Sequence, residues 1–284
     1  MIEPAHNPVA HPPPIISNPA NRLGERLALN LHSPPDIQWP APPLIGGTWG
    51  ALAPDQAMRV MIRLCAADPD ASTICDSHDI IALRKRPLIA IRDGLLIEFL
   101  ARPHAGGTER IGVFIYRPGL FDLLDGASGV LHRINDEGGL VVETAAQALE
   151  YVELFCAAVA GDDGSFYPAP PEFPAVHNPA DPALAQSLEV LARPPQAEST
   201  PEGWRVDMTI AYGLRMFRSQ MLLRHSGMIE MLDDTYLDGV TPAIIEGWED
   251  HLRTRTPAPP PESDATDAAK QDEETEARDD DVPA

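Results

Sequence analysis

Apolar residues recur at helical spacing soon after residue 50. From Pro54 to Ala67 they fall on one face and the charged residues fall elsewhere, which predicts an amphipathic helix that ends before Pro69. The same reasoning predicts a shorter helix over 181–193, which starts at Asp181-Pro182. A last helix is expected after Thr241-Pro242, because Ile244, Ile245, Trp248 and Leu252 would share a face.

The clearest local signal marks the start of a helix at Thr144. Gln147 follows three residues later, as in a reciprocal capping box. An apolar stripe then runs to Val159, and Gly161 is suited to the position just after the helix. We expect the stripe to pack on a sheet and the outer face to offer Glu150 and Glu153 to solvent.

Apolar runs separated by turn residues predict strands in two places. Segments 88–91 and 95–100, joined by a turn containing Gly94, predict a hairpin, and 110–116 supplies a third strand. A second β-rich stretch covers 204–232, with turns expected near Tyr212-Gly213 and near His225-Ser226-Gly227.

These elements predict an α+β fold: two antiparallel β-meanders packed with amphipathic helices and flanked by disordered termini. Whether the two β units form one domain or two stays open. The expected layout is a Pro-rich irregular arm (1–45), a first α+β unit (46–161), a Pro-rich strap or linker (162–180), a second α+β unit (181–255) and a disordered acidic tail (256–284).

Negative charge pervades the chain, whose formal net charge is −22. The tail holds ten acidic residues against Lys270 and Arg278, but the segment 46–255 is acidic as well. Free-standing nucleic-acid binding and binding to anionic lipid both need a basic surface, so neither is expected. The charge favours either a basic protein partner or solubility alone.

Three cysteines, an odd number, favour a reduced cytoplasmic location over a disulfide framework. The N-terminus lacks the pattern of a signal peptide, and no apolar run approaches the length of a membrane span. The chain has 19 arginines but only Lys85 and Lys270, with abundant alanine and proline, which is typical of GC-rich coding and favours a bacterial origin.

The cysteines offer two candidate chemistries, and neither has a complete motif. Cys75 and His78 have the spacing of half a zinc site, but no paired ligands follow, and Cys65 lies on the apolar face of the first helix. As a nucleophile, Cys75 is disfavoured by the acidic residues around it, which raise a thiol pKa.

Two acidic turns are candidates for binding a divalent cation. Asp162 and Asp163 follow the capped helix, and Asp233 and Asp234 follow the last strand of the second meander. Aspartate also favours turns for conformational reasons alone. We expect no cofactor and nominate no catalytic residue, since the phosphate-binding, dinucleotide-binding, serine-hydrolase and zinc-protease motifs are all missing.

Arginines provide candidate partner contacts. Arg215, Arg218 and Arg224 lie along the second meander and could bind a phosphate or a carboxylate, or pair with the chain's own acidic residues. The run Arg84-Lys85-Arg86 could likewise contact the acidic tail.

These observations favour a non-catalytic protein–protein interaction module, of the adaptor, immunity or antitoxin-like kind, that binds a basic partner. The alternative is an enzyme whose carboxylate or metal site is formed by the acidic loops at 161–164 and 233–238. A homo-oligomeric role, through pairing of edge strands, also stays open.

Overall fold

The computed structural model describes residues 19–31 and 37–259. Residues 260–284 of the predicted tail and about half of the predicted N-terminal arm lie outside these residues. Six helices occur in the described part. They are α1 (Pro19–Asn30), α2 (Pro54–Ala67), α3 (Pro69–Ser77), α4 (Gly129–Asp136), α5 (Ala145–Ala158) and α6 (Leu184–Leu191). None of them, within 19–31 and 37–259, has both the length and the apolar character needed to cross a bilayer.

Strands fill much of the remaining chain. They are β1 (Gly50–Ala51), β2 (His78–Pro87), β3 (Leu95–Pro103), β4 (Arg110–Arg117), β5 (Leu120–Leu123), β6 (Ala160–Gly161), β7 (Gly164–Ser165), β8 (Tyr167–Pro168), β9 (Ala175–His177), β10 (Gln196–Thr200), β11 (Gly203–Tyr212), β12 (Arg215–Arg224), β13 (Ile229–Tyr236), β14 (Val240–Pro242), β15 (Ile244–Glu249) and β16 (Leu252–Pro257).

The first sheet has seven strands in the order β1-β2-β3-β4-β16-β15, with β5 also on β4. Successive side chains of a strand point to opposite faces, and both faces here are apolar. One face packs on α1, α2 and α3 through residues such as Phe99 and Phe114. The other face, with Leu96 and Val113, packs on residues 37–49, α4 and α5. The sheet is therefore a buried middle layer.

The second sheet has five strands in the order β10-β11-β12-β13, with β8 also on β11. One face packs on α5, where Val206 and Met221 meet Tyr151 and Val152. The opposite face is partly covered by α6 through Leu191 and Met216. Helix α5 thus lies between the two sheets and joins them into one packed structure.

The predicted α+β class, with antiparallel meanders and helices, is confirmed. Helix α2 occupies the predicted range, and α5 begins with the predicted capping box between Thr144 and Gln147. The second meander also forms, as β11, β12 and β13.

The predicted position of the first strand in the hairpin was wrong. The strand that pairs with β3 is β2, and residues 88–94 form the connection between them. The charged run Arg84-Lys85-Arg86 lies in β2, where Arg84 pairs with Glu98 and Arg86 with Glu150. Ion pairs with other elements therefore stabilise the charged half of this strand, while its other half, Ile80 to Leu83, is apolar and buried.

The predicted helix after Thr241-Pro242 was also wrong, because this segment forms β14, β15 and β16. A turn at Asp250 and His251, both with positive φ, folds β16 back on β15. Strand β16 then pairs with β4, with Leu252 opposite Gly112. Pairing with the first sheet overrides the helix predicted from the apolar spacing. It also brings the end of the predicted second unit, 181–255, into a sheet whose other strands belong to the first unit, 46–161.

The expectation that Glu150 and Glu153 face solvent was wrong for a related reason. Packing between two sheets leaves α5 no open polar face. Glu150 is buried and accepts hydrogen bonds from the backbone N–H groups of Ile89 and Ala90, at 2.6 and 2.9 Å. Glu153 is partly buried and accepts one from Gly46 at 2.8 Å.

Candidate interaction surface

Strand β13 lies at an edge of the second sheet. It pairs with β12 on one side, and on its other side no strand of the described residues pairs with it. An edge strand presents unpaired N–H and C=O groups along its free side. Such a row can accept a further strand, which is one of the common ways in which proteins bind an extended segment.

The side chains of β13 are unusually open to solvent. All six residues from Met231 to Tyr236 are exposed, including three large apolar or aromatic residues. Met231 is 52% exposed, whereas Met221, its partner on β12, is only 2% exposed. The cover provided by α5 therefore ends between β12 and β13.

The apolar residues form a patch that continues onto β12 and into the preceding turn. The Tyr236 ring lies 5.7 Å from that of Phe217, measured between centroids. Met228, in the turn before β13, is 49% exposed. We call the exposed residues of this region the β13 surface. It comprises Met228, Met231, Leu232, Asp233, Asp234, Thr235 and Tyr236.

A β-bulge interrupts β13 in the middle of this surface. Met221 pairs with Met231 and Gln220 with Asp233, so that Leu232 is the extra residue. Bulges strengthen the local twist and are one of the devices that stop edge strands from pairing indiscriminately.

Asp233 and Asp234 give the β13 surface its charge. They lie within the strand, opposite Gln220 and Ser219, and not in a turn after it as the sequence had indicated. Within residues 19–31 and 37–259 neither carboxylate forms an ion pair. Asp234 lies on the same face of the sheet as Met231 and Tyr236, and Asp233 lies on the opposite face, so this edge is suited to a partner with both basic and apolar residues.

The opposite edge of the same sheet differs in chemistry. Strand β10 has the sequence Gln-Ala-Glu-Ser-Thr and carries no large apolar side chain. Exposed apolar patches on otherwise polar proteins often mark interaction sites. Of the two edges, β13 is therefore the candidate for binding.

The predicted partner-binding arginines do not form one site. Arg218 pairs with Asp207 and donates hydrogen bonds to the backbone carbonyls of Arg193 and Pro194, which anchors the end of α6 to the sheet. Arg224 pairs with Glu202 and Glu230. Of the three, only Arg215 is exposed, near the β11–β12 turn. Arg218 and Arg224 thus pair with the chain's own acidic residues, the second of the two possibilities that the sequence left open.

The structure does not bring the two acidic loops together. Asp162 and Asp163 form the turn between β6 and β7, where the Asp163 backbone N–H donates to the Tyr212 hydroxyl at 3.2 Å. Tyr212 pairs with Arg215, and Asp234 lies opposite Ser219, four residues further along β12. At the usual rise per residue, that separation is roughly 13 Å.

A shared coordination sphere is much smaller than this distance, since Ca²⁺ and Mg²⁺ bind oxygen ligands at about 2.0–2.6 Å. In the described part of the chain, no three His, Cys, Asp or Glu side chains are close enough together to hold a metal ion. The half zinc site is not assembled either: Cys75 contacts Cys65, and the His78 ring contacts Ser77 and the carbonyl of Ile74.

The sequence predicts this strand and singles out its aspartates, but it does not predict that the strand is an exposed edge of the sheet. The available signal was Met-Ile-Glu-Met-Leu-Asp-Asp, an apolar run that passes directly into acidic residues. Which strand lies at the edge of a sheet depends on pairing and cannot be read from the strand's own residues. Comparison of the chain with protein-family models, curated proteins and solved structures gave no match in any of the three. The surface is therefore interpreted from its own chemistry.

Proposed function

We propose that this protein is a non-catalytic interaction module of the bacterial cytoplasm that binds a basic, extended segment of a partner protein along β13. The observation that carries the proposal is an unpaired edge strand with six consecutive exposed residues, among them Asp233 and Asp234. The partner's backbone would pair with the free side of β13. Basic side chains on the two faces of the partner strand would meet Asp233 on one face of the sheet and Asp234 on the other, and apolar side chains beside Asp234 would cover Met231 and Tyr236.

Charge also argues for a different chain as the partner. Two copies of β13 paired with each other would bring four carboxylates of Asp233 and Asp234 together, along with the acidic charge of the two proteins. Like charges placed opposite each other across strands are destabilising. A basic strand would instead be attracted to the same carboxylates, which supports a different protein as the partner over homo-oligomerisation.

A peptide experiment tests the proposal directly. A short extended peptide of lysines and valines, with two adjacent lysines placed to meet Asp233 and Asp234 on opposite faces of the sheet, should bind, and its binding should weaken as salt rises, because exposed ion pairs are screened. Backbone amide signals of Met231 to Tyr236 should shift in NMR spectra, while those of β10 should not. A peptide of the same sequence with N-methyl groups on alternate residues should bind much more weakly, because it lacks the amide hydrogens for strand pairing.

Matched variants separate strand pairing from non-specific attraction to an acidic protein. The double variant Asp233→Asn, Asp234→Asn should lower the affinity by about fivefold to tenfold, as expected for two exposed ion pairs. The control Asp162→Asn, Asp163→Asn removes the same charge from a turn elsewhere and should leave the affinity nearly unchanged. Equal losses in both variants, or equal binding of a glutamate–valine peptide, would refute the proposal.

A further inference from the structure

A second feature, on the other side of the first sheet from α5, involves two of the three cysteines. Cys65 lies near the end of α2 and Cys75 near the end of α3, and their sulfur atoms are 2.8 Å apart. A disulfide holds its sulfur atoms about 2.05 Å apart. A movement of less than about 1 Å would therefore bring these two sulfurs to bonding distance.

The surrounding structure holds this pair in place. Asp68 lies between the two helices and caps α3 through hydrogen bonds from the backbone N–H groups of Asp70 and Ala71. Arg26 of α1 donates to the carbonyl oxygen of Cys75 at 2.6 Å. The Cys65 thiol contacts both the Cys75 sulfur and the carbonyl of Ala71, the latter at 3.5 Å. The juxtaposition thus follows from the connection between α2 and α3.

We propose that Cys65 and Cys75 form a reversible intramolecular disulfide when the protein meets a peroxide. The inference is independent of the proposed binding along β13. Cysteine pairs of this kind in reducing compartments are more often redox-responsive than structural. The product closes a short loop and links the end of α2 to the end of α3.

The chemistry needs only the two thiols and hydrogen peroxide. The Cys65 thiolate attacks one peroxide oxygen, an S–O bond forms as the O–O bond breaks, and the departing hydroxide takes up a proton as water. The Cys75 sulfur then attacks the sulfenic sulfur of Cys65, an S–S bond forms and the S–O bond breaks. The second hydroxide leaves as water with the proton of Cys75. Two thiols are oxidised and one peroxide is reduced to two waters.

The environment assigns different roles to the two sulfurs. Cys65 is partly exposed and can be reached by a small oxidant, whereas Cys75 is buried. The hydrogen bond from Cys65 together with burial raises the pKa of Cys75, which keeps it a thiol until the neighbouring sulfenic acid forms. Cys156 is buried in α5, and burial raises its pKa to about 12. Cys156 is therefore a natural internal control.

Mass spectrometry of the full chain tests the proposal. After peroxide, the intact mass should fall by two hydrogen atoms, and proteolysis should yield one cross-linked peptide that contains Cys65 and Cys75. Alkylation after denaturation should label Cys156 alone, and a dithiol reductant should restore all three labels. Oxidation should also raise Tm by a few degrees, because the closed loop restricts the unfolded chain.

Single variants distinguish the proposed pair from other outcomes. Cys65→Ser and Cys75→Ser should each abolish the cross-link, and Cys75→Ser should retain a sulfenic acid on Cys65 that dimedone traps. Cys156→Ser should oxidise as the wild type does. Circular dichroism of the reduced proteins checks that each variant folds. The proposal would be overturned if all three thiols stayed free under peroxide treatment that oxidises a simple dithiol. A cross-link to Cys156, or a disulfide that forms only between chains, would also overturn it.

Discussion

At the scale of single residues, the most consequential group is Glu98, whose side chain is completely buried in the first sheet. Its carboxylate pairs with Arg84 and Arg253 and accepts the backbone N–H of Leu44 at 2.6 Å. Arg253 also pairs with Glu246. Burial by itself lowers the pKa of Arg253, but Glu98 and Glu246 raise it above its ordinary value, so this buried guanidinium stays charged.

Removing one partner of this network should be costly. Arg253→Met leaves Glu98 and Glu246 buried with fewer positive charges, and we expect the free energy of unfolding to fall by about 3–5 kcal/mol. Arg59→Met, which breaks the exposed pair between Arg59 and Asp55, is the matched control and should cost less than about 1 kcal/mol. Urea denaturation measures both. Similar small losses in the two variants would show that the buried network contributes little.

Glu153 gives a prediction about pH. Burial raises the pKa of this carboxyl above its ordinary value of 4.5, although the hydrogen bond from Gly46 opposes the shift. The folded state therefore binds the proton more tightly than the unfolded state does. The stability that the protonated form contributes is fully present below pH 4.5 and is lost as the pH rises through the higher folded value.

Glu153→Gln should remove that pH-dependent loss while keeping an oxygen to accept the Gly46 N–H. The variant and the wild type should differ little in free energy of unfolding at pH 4. Towards pH 7 the free energy of unfolding of the variant should become higher than that of the wild type. Urea denaturation across this range measures the difference. A constant offset at every pH would contradict the prediction.

At the scale of the elements, α5 organises the molecule because both sheets pack against it. Leu154, Ala157 and Ala158 face the first sheet, while Tyr151 and Val152 face the second. Isolated helices of this length are marginally stable in water, so packing provides most of the stability. The capping box fixes where the helix begins and hence which residues meet each sheet.

Loss of the cap should weaken α5 measurably. Thr144→Ala leaves the N–H group of Gln147 without its side-chain acceptor, and we expect a loss of about 1 kcal/mol in the free energy of unfolding. Thr73→Ala is the control, because Thr73 is an exposed threonine inside α3 whose hydroxyl bonds the Pro69 carbonyl and caps no helix start. Equal effects in thermal or urea unfolding would argue against a capping role for Thr144.

At the scale of the whole molecule, the chain closes on itself. Strand β16, close to the end of the described residues, pairs with β4 and contributes Arg253 and Arg255 to the buried network. The first sheet therefore includes strands separated by more than 100 residues in sequence. Such pairing makes the fold depend on residues that follow the second sheet in the chain.

Truncation tests this dependence. A chain that ends after Glu249 lacks β16, which leaves Ile111 and Gly112 of β4 unpaired and Glu98 without Arg253, so we expect it to lose cooperative thermal unfolding. A chain that ends after Pro259 keeps every described strand and should retain Tm to within about 2 °C. Circular dichroism measures both melts. A cooperative melt at the original temperature for the shorter chain would show that the first sheet folds without β16.

The sequence alone determined those features that depend on neighbouring residues. The spacing of apolar positions located α2, the Thr144–Gln147 pair located the start of α5, and alternating runs with turn residues located β11, β12 and the first half of β13. These signals are local, because helix periodicity, capping and turn chemistry act over a few residues.

Only the tertiary structure decided the rest. The charged half of β2, the return of β16 to β4 and the burial of Glu98 and Glu150 all rely on partners in other elements. The status of β13 as an exposed edge likewise depends on where the cover from α5 ends. A charge can be buried favourably only when a partner from another segment pairs with it, and a strand becomes an exposed edge only through the way the other segments pack. The local sequence pattern does not specify these contacts.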